Sequence, residues 1–433
     1  LEEEFHVIDN ATAAPPWNDI HHLLGNPTDL PGHINTHGPM TISLGNERSW
    51  QRALASSLER SGLAGRGGGG FPASIKLALA SAHGSGGTVV VNGMEGEPAS
   101  DKDKVLLTQA PHLVLDGAQF LAAMCRSSQI VVCIPVGRDG VAASVNHAIS
   151  ERLRHRHSMV DEMIARPPDR FIAGEESALV NWIDNGQALP VFRPDKGTPL
   201  RIGRRPALVH NTETLAHVAL IARHGADRFL ARGMVDDPGT CLVTISGAVN
   251  QPGVVEVDRG TPLWEIAMCS SPLNSPQALL AGGYGGAWVA PKHFSTPYAS
   301  QQLRAIGATA GVGVIVALGP SACGIAETAR ITRYLAQQSA GQCGPCVFGL
   351  PAIADDMARL AHGRVDPGLP ARLQRRLNEV SGRGACRHPD GAIGLVRSCL
   401  QVFAQDVAAH TRGEPCVHAR KPTTMRFPRP ITL

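Results

Sequence analysis

Aromatic residues make up only 4% of this 433-residue chain, and no apolar run reaches the ~18 residues that a membrane-spanning helix needs. The longest apolar stretches, near residues 87–91 and 311–318, have the length of short buried strands. A long basic tract is also missing, and with a net charge of +3 composition makes no case for nucleic acid. Ten cysteines are present, but not at the spacing of a secreted disulfide framework, and a chain of this size needs none. The first residues, Leu1-Glu2-Glu3-Glu4, are acidic and contain no apolar leader, so the expected location is cytoplasmic.

Glycine, in contrast, is abundant, with 47 residues. The densest run is Gly65-Arg66-Gly67-Gly68-Gly69-Gly70-Phe71-Pro72, followed by Lys76. Successive glycines leave the backbone uncovered and tolerate positive φ. Exposed N–H groups in such a loop form a concavity suited to phosphate. Arg66 and Lys76 are expected to add positive charge on either side, so the run predicts a phosphorylated cofactor. It matches neither the Rossmann nor the Walker signature, because the preceding residues 50–63 read as a helix and no Gly-Lys-Ser/Thr follows.

Hydrophobic periodicity alternates along the first half. Strands are expected at residues 88–91 and 129–136, and helices at 113–125, 141–154, from 175 or 176 to 183, and at 211–223. That order implies an α/β layer with a mostly parallel sheet. Short strands at 240–247 and 254–257 with a helix at 263–269 imply a small α+β unit. Helices at 325–338, 347–361, 367–380 and 391–410 imply a terminal bundle. The expected divisions are an extended N-terminal arm (1–45), an α/β ligand-binding domain (46–238), a small α+β domain (239–322), a helical domain (323–412) and a tail (413–433). Residues 190–206, rich in Pro and Gly, form a long irregular and therefore functionally interesting segment.

Three polar motifs sit where such a sheet places ligands. Asn92-Gly93-Met94-Glu95-Gly96-Glu97-Pro98 follows the first strand, at the carboxyl edge of the sheet. It reads either as a solvated turn, with Lys102 and Lys104 pairing its acids, or as a set of acceptors for a ligand. Gly174-Glu175-Glu176-Ser177 opens a helix, where acids are ordinary capping residues, and Asn211-Thr212-Glu213-Thr214 opens another. Cys125, Cys133, Cys241 and Cys269 lie in apolar contexts and read as small buried hydrophobes.

Taken in this order, over residues 45–412, the motifs resemble the flavoprotein family that contains the NADH-binding, FMN-carrying subunit of respiratory complex I and the diaphorase subunits of formate dehydrogenases and hydrogenases. The resemblance implies that Gly65, Arg66, Gly67, Gly68, Gly70, Lys76, Asn92, Gly174, Glu176, Asn211 and Thr212 hold FMN. It implies that Phe71, Glu95, Glu97 and Glu175 line the NAD(H) side. It also implies a ubiquitin-like domain of the soluble-ligand-binding type from residue 242 to about 318, and a helical iron–sulfur domain after it.

The sequence departs from the family pattern at three places. Met94 stands where the family has Asp. The aromatic after the glycine-loop lysine is replaced by Leu77, Ala78 and Leu79, and only Phe192 is at hand in the Pro-rich loop. Ala340 occupies the position of the first cluster cysteine, leaving Cys343, Cys346 and Cys386 as metal ligands. Thiolates are the usual cluster ligands and a methyl cannot substitute for one. A 4Fe-4S cluster with an unusual fourth ligand, a 3Fe-4S cluster, or no cluster remain open. The sequence spacing of Cys323, Cys399 and Cys416 supports none of them as the replacement.

The expected activity is hydride transfer from NADH to FMN, with electrons passed through an iron–sulfur centre to a ferredoxin-like or iron–sulfur protein subunit in a hetero-oligomer, without a membrane span. Two alternatives are a flavin electron carrier that does not use NAD(H) and a redox-inactive assembly subunit retaining the fold.

Overall fold

Val89, Val90 and Val91 alternate between two apolar layers, and this alternation organises the first half of the protein. Val89 and Val91 enter one core with Leu54, Leu58, Leu113 and Leu215, while Val90 enters another with Met94, Val131, Leu179 and Val209. A β-branched run buried on both faces belongs at the centre of a parallel sheet covered by helices. The computed structural model describes residues 22–40, 47–193 and 197–428. These fall into two compact units. The first comprises the chain up to Gly96, Asp101–Leu242 and Val254–Gly260, and the second comprises Glu97–Ser100, Val243–Gly253 and the chain from Thr261 on.

In the first unit the order is α1 (Leu30–His37), α2 (Glu47–Ser61), α3 (Ala73–Ala82), β1 (Thr88–Asn92), α4 (Lys102–Gln109), α5 (Pro111–Cys125), β2 (Gln129–Cys133), α6 (Asp139–Arg154) and β3 (Asp161–Ala165). It continues with α7 (Glu176–Asn185), β4 (Leu200–Ile202), β5 (Arg205–Asn211), α8 (Thr212–His224), α9 (Ala226–Leu230) and a short pair, β6 (Gly233–Met234) and β7 (Asp237–Pro238). The main sheet has the order β3-β2-β1-β5-β4. All neighbours are parallel except β4, which returns antiparallel to β5. Helices α5 and α8 approach closely at Gly117, where a Cβ would lie 1.9 Å from the Leu215 carbonyl oxygen. That contact accounts for a glycine in mid-helix.

The expected N-terminal arm is corrected within its described part. Residues 30–37 are helical, capped by Asp29, and docked: His33 Nε2 lies 2.7 Å from Asp116, and Leu30 N–H donates to Glu151. Residues 1–21 and 41–45 of that arm and Asn46 after it, like Pro194, Asp195 and Lys196 of the Pro-rich loop and 429–433 of the tail, lie outside the described residues.

The second sheet is mixed and has the order β11-β10-β12-β8-β9, where β8 is Thr240–Gly247, β9 Gly253–Asp258, β10 Ala278–Ala281, β11 Ala287–Val289 and β12 Val314–Leu318. Helix α10 (Leu263–Met268) follows β9, and α11 (Ser300–Ala305) precedes β12. The terminal helices are α12 (Gly324–Gln337), α13 (Leu350–Ala361), α14 (Leu369–Val380), α15 (His388–Val402) and α16 (Ala404–Thr411). The single helix expected over 391–410 is therefore two. Phe403 breaks it with φ −104° and ψ 34°, and packs edge-on against Trp288. Among the described residues no helix is long and apolar enough to cross a membrane.

Candidate functional site

Strand β1 connects outward to β2 and β3 on one side, while β5 lies on its other side. The direction of connection therefore reverses between β1 and β5. In an open α/β sheet the ligand crevice opens at the carboxyl end of such a switch point. Asn92 and Asn211, the last residues of β1 and β5, are register partners at that point.

The glycine loop lies against it. The neck of the loop is closed by Gly65 N–H donating to the Phe71 carbonyl, by the Ala64–Pro72 bridge and by Ala73 N–H donating to Leu63. Beyond the neck Gly67 to Gly70 are exposed, with positive φ at Gly68 (94°) and Gly70 (60°). None of their N–H groups makes a well-formed backbone hydrogen bond among the described residues. A Cβ at Gly67 would lie 3.2 Å from Asn211 Cβ. The loop thus offers free donors close to the strand ends.

Arg66 differs from the expectation. Its backbone N–H donates to Thr214 Oγ1 (2.9 Å), and its buried guanidinium turns inward to the Pro238 carbonyl. It anchors the loop from behind. Lys76, from α3, donates to the Val209 carbonyl of β5 (2.8 Å) and pairs with Glu176 at the start of α7. Asn92 Nδ2 donates to the Gly174 carbonyl (2.9 Å), and Asn92 Oδ1 accepts from Met94 N–H. Gly65, Gly67, Gly68, Gly70, Lys76, Asn92, Gly174, Glu176 and Asn211 all belong to the first unit.

Behind Asn211 lies a buried polar network that the sequence reading does not anticipate. Asn211 caps α8 through Glu213 N–H and donates to Asp103 (2.6 Å), and Thr212 Oγ1 donates to the same carboxylate (2.7 Å). Lys102 is buried and bonds Asp103 (2.7 Å), Glu213 (3.0 Å) and Asn211 (3.1 Å). Burial opposes its charge, but the Asp103 and Glu213 carboxylates outweigh that penalty and raise its pKa. The adjacent Lys102-Asp103 pair is the sequence signal for this network, whereas sequence proximity alone assigns Lys102 to Glu95 and Glu97. Lys104 lies 4.0 Å from Glu95 and closer to Asp101, and Glu95 also adds to the field that raises the Lys102 pKa.

The residues expected on the dinucleotide side are placed differently from one another. Phe71 is partly exposed. Glu95, at φ 33°, accepts from the Asp103 and Lys104 N–H groups and so closes the first turn of α4. Glu97, in the second unit, accepts from Tyr284 N–H (2.8 Å). Glu175 is the N-cap of α7 and accepts from Ser177 and Ala178 N–H. Met94 is buried in the apolar cluster around Val90 and Leu179, which explains how the site dispenses with an acid there. Phe192 is exposed and lines a cavity of about 390 Å³ with Asn181, Asp184, Arg193 and Arg201.

In the second unit Cys343 and Cys346 flank the start of a π-turn, Pro345–Gly349. Partial burial works against ionisation of Cys343, but the Ala385 and Cys346 N–H groups hold its thiol below the usual range. Burial, together with the neighbouring Cys343 and Cys386 sulfurs, pushes Cys346 up to about 11. Cys386 is thus an electrostatic neighbour of Cys346, from a separate part of the chain. Ala340 contributes no donor. A separate group is more compact: the ligand atoms of Cys323, His410 and Cys416 all lie within 4.8 Å of one another.

The donors fit both cofactors of the resemblance. The free N–H groups of a glycine cradle at a switch point suit the phosphate of FMN. Three neighbouring cysteines suit an iron–sulfur centre through three of its usual four ligands.

Residues 58–220 match the family described as the Nuo51 FMN-binding domain, and residues 326–410 match the NADH-ubiquinone oxidoreductase-F iron–sulfur binding region. An NADH-quinone oxidoreductase subunit of Rhizobium meliloti (strain 1021) is 26% identical over 377 residues, covering 84% of this chain and 90% of the relative. An NADH-quinone oxidoreductase subunit of Streptomyces coelicolor is 26% identical over 380 residues, covering 84% of each. An NAD+-reducing [NiFe]-hydrogenase in the H2-reduced state superposes with a TM-score of 0.76 at 26% identity. That match covers 86% of this chain, which spans 64% of the hydrogenase chain's length. An FMN-binding region and an iron–sulfur-binding region are both present, and the chain is an FMN and iron–sulfur flavoprotein subunit related to those of NADH dehydrogenases and of hydrogenase diaphorase modules.

Proposed function

We propose that this chain binds FMN at the carboxyl ends of β1 and β5, oxidises NADH there, and passes the electrons through an iron–sulfur centre to a protein partner. The observation that carries the reading is the exposed Gly67–Gly70 backbone, whose N–H groups make no well-formed backbone hydrogen bond among the described residues, beside the Asn92–Asn211 strand ends. FMN, when bound, accepts a hydride and releases electrons singly, so no side-chain base is required. The protein binds and orients. The glycine loop N–H groups meet the phosphate, and Lys76 adds charge nearby. Asn92 positions the Gly174 backbone, while the Lys102–Asp103 network holds Asn211 and Thr212 in place.

On the dinucleotide side Phe71 and Phe192 supply ring surface, and Arg193 and Arg201 stand beside Phe192 at the cavity. Glu95 and Glu175 shape that side through the backbone groups they hold, and Glu97 holds the Tyr284 N–H within the second unit. Cys343, Cys346 and Cys386 would ligate the cluster as a 4Fe-4S centre with a non-protein fourth ligand or as a 3Fe-4S centre. The order β11-β10-β12-β8-β9, with a helix after the second strand, supports a ubiquitin-like reading of the small α+β unit. Assembly with an iron–sulfur partner protein is proposed from the NADH-quinone oxidoreductase relatives, which are named as subunits.

A second reading, a flavin carrier fed by another protein, is favoured by the internal hydrogen bonds that occupy all three of those carboxylates. Anaerobic NADH titration of the purified protein distinguishes the two. Bleaching of the flavin band supports NADH oxidation, whereas bleaching by dithionite alone supports the carrier. Protein lacking released FMN on denaturation would sink both.

A further inference from the structure

We propose that Cys323, His410 and Cys416 form a zinc-class metal site that ties the C-terminal segment to α12. None of the three is a ligand expected for the iron–sulfur centre, and their sequence separations form no recognisable motif. They converge from three elements: the N-cap of α12, the last turn of α16, and the residue before the 3-10 turn Val417–Arg420. The three ligand atoms lie within 4.8 Å of one another.

The geometry is close to that of a bound ion. Cys323 Sγ is 3.9 Å from His410 Nε2. Tetrahedral zinc with ordinary Zn–S and Zn–N bonds places such atoms about 3.6 Å apart. His410 Nδ1 faces the Leu360 carbonyl at 3.0 Å, and a carbonyl can only accept, so the ring proton sits on Nδ1. Nε2 therefore turns its lone pair toward the sulfurs. This is the outer hydrogen bond that orients metal-binding histidines. In the structure that lone pair accepts from Cys416 N–H at 3.2 Å, a bond the metal would replace. Two sulfurs and one imidazole select zinc over the hard, oxygen-seeking cations. Binding releases the two thiol protons to solvent, and water completes the fourth position.

A second observation gives the site its role. Cys323, Glu327 and Arg330 follow an i, i+4, i+7 spacing and share one face of α12. Glu327 accepts from Thr423 Oγ1 (2.6 Å) and Thr424 N–H (2.9 Å), and Arg330 donates to the Lys421 carbonyl (2.7 Å). The same face thus grips residues 421–424, and the metal would fix the start of that segment at Cys416.

The test uses the full chain, purified without chelator from zinc-supplemented cells. Elemental analysis should give about one zinc per chain, retained when Cys343, Cys346 and Cys386 are replaced together by Ser. In Cys323→Ser and Cys416→Ser, zinc should fall at least ~10-fold while iron is kept. Cobalt added to chelator-treated wild-type protein should develop sulfur-to-cobalt charge-transfer bands, a readout independent of whether variants fold. Absence of both zinc and cobalt binding, or a Cys323–Cys416 disulfide in the zinc-supplemented protein, would overturn the proposal.

Discussion

Asn92 and Asn211 face each other as the terminal register pair of two parallel strands, yet each spends its side-chain amide elsewhere. Asn92 donates to the Gly174 carbonyl, and Asn211 donates to Asp103. The pair therefore fixes its surroundings: one side sets the approach to α7 and the other the start of α8.

A side chain at Gly67 should remove the flavin without unfolding the protein. Its Cβ would press on Asn211 Cβ at 3.2 Å. Gly67→Val is expected to lower FMN affinity at least ~10-fold while the protein stays folded, because the loop itself is exposed. Flavin fluorescence after dialysis and thermal melting of the apoprotein measure the two effects separately.

Glu175 should behave as a helix cap. Replacing it with Ala removes the acceptor for Ser177 and Ala178 N–H. The expected loss is about 1 kcal/mol of stability in urea unfolding. A normal urea midpoint in Glu175→Ala would contradict the cap.

Restoring the fourth thiol should strengthen the cluster. Ala340→Cys supplies a soft anionic ligand three residues before Cys343. Iron and acid-labile sulfide per chain should rise, with slower loss in air. Unchanged iron content would argue against Cys343, Cys346 and Cys386 as the cluster ligands.

Acid should destabilise the first unit through histidine as well as carboxylate. Burial, with Arg152 nearby, pushes His112 from 6.5 down to about 4. The folded state keeps it neutral while the unfolded state takes up a proton. Its contribution is complete above pH 6.5 and is lost as pH falls from there toward about 4. His112→Gln should flatten the fall in urea midpoint between those two values.

Local periodicity disclosed most elements because Val89, Val90 and Val91 or the apolar stripe of α5 encode their own burial. The glycine run disclosed the cradle, since few other sequences leave so much backbone bare. Side-chain direction was not legible. Arg66 turns inward because Thr214 and Pro238, both remote from it in sequence, hold it, and Lys102 finds Glu213 only once α4 and α8 meet. The helix break at Phe403 was hidden for a similar reason. Its ring packs on Trp288 and against Gly324, contacts that no window along the chain contains. The grouping of Cys323 with His410 and Cys416 depends in the same way on the packed bundle.

The closed neck of the glycine loop separates two properties that usually change together. Hydrogen bonds at Gly65, Phe71, Leu63 and Ala73 hold the loop's base to the fold, whereas Gly67 to Gly70 lie outside both apolar cores. A descendant of this chain can therefore lose its cofactor by one substitution and still fold. That the chain folds then does not establish that a preparation or a homologue is redox-competent, and flavin content must be measured each time.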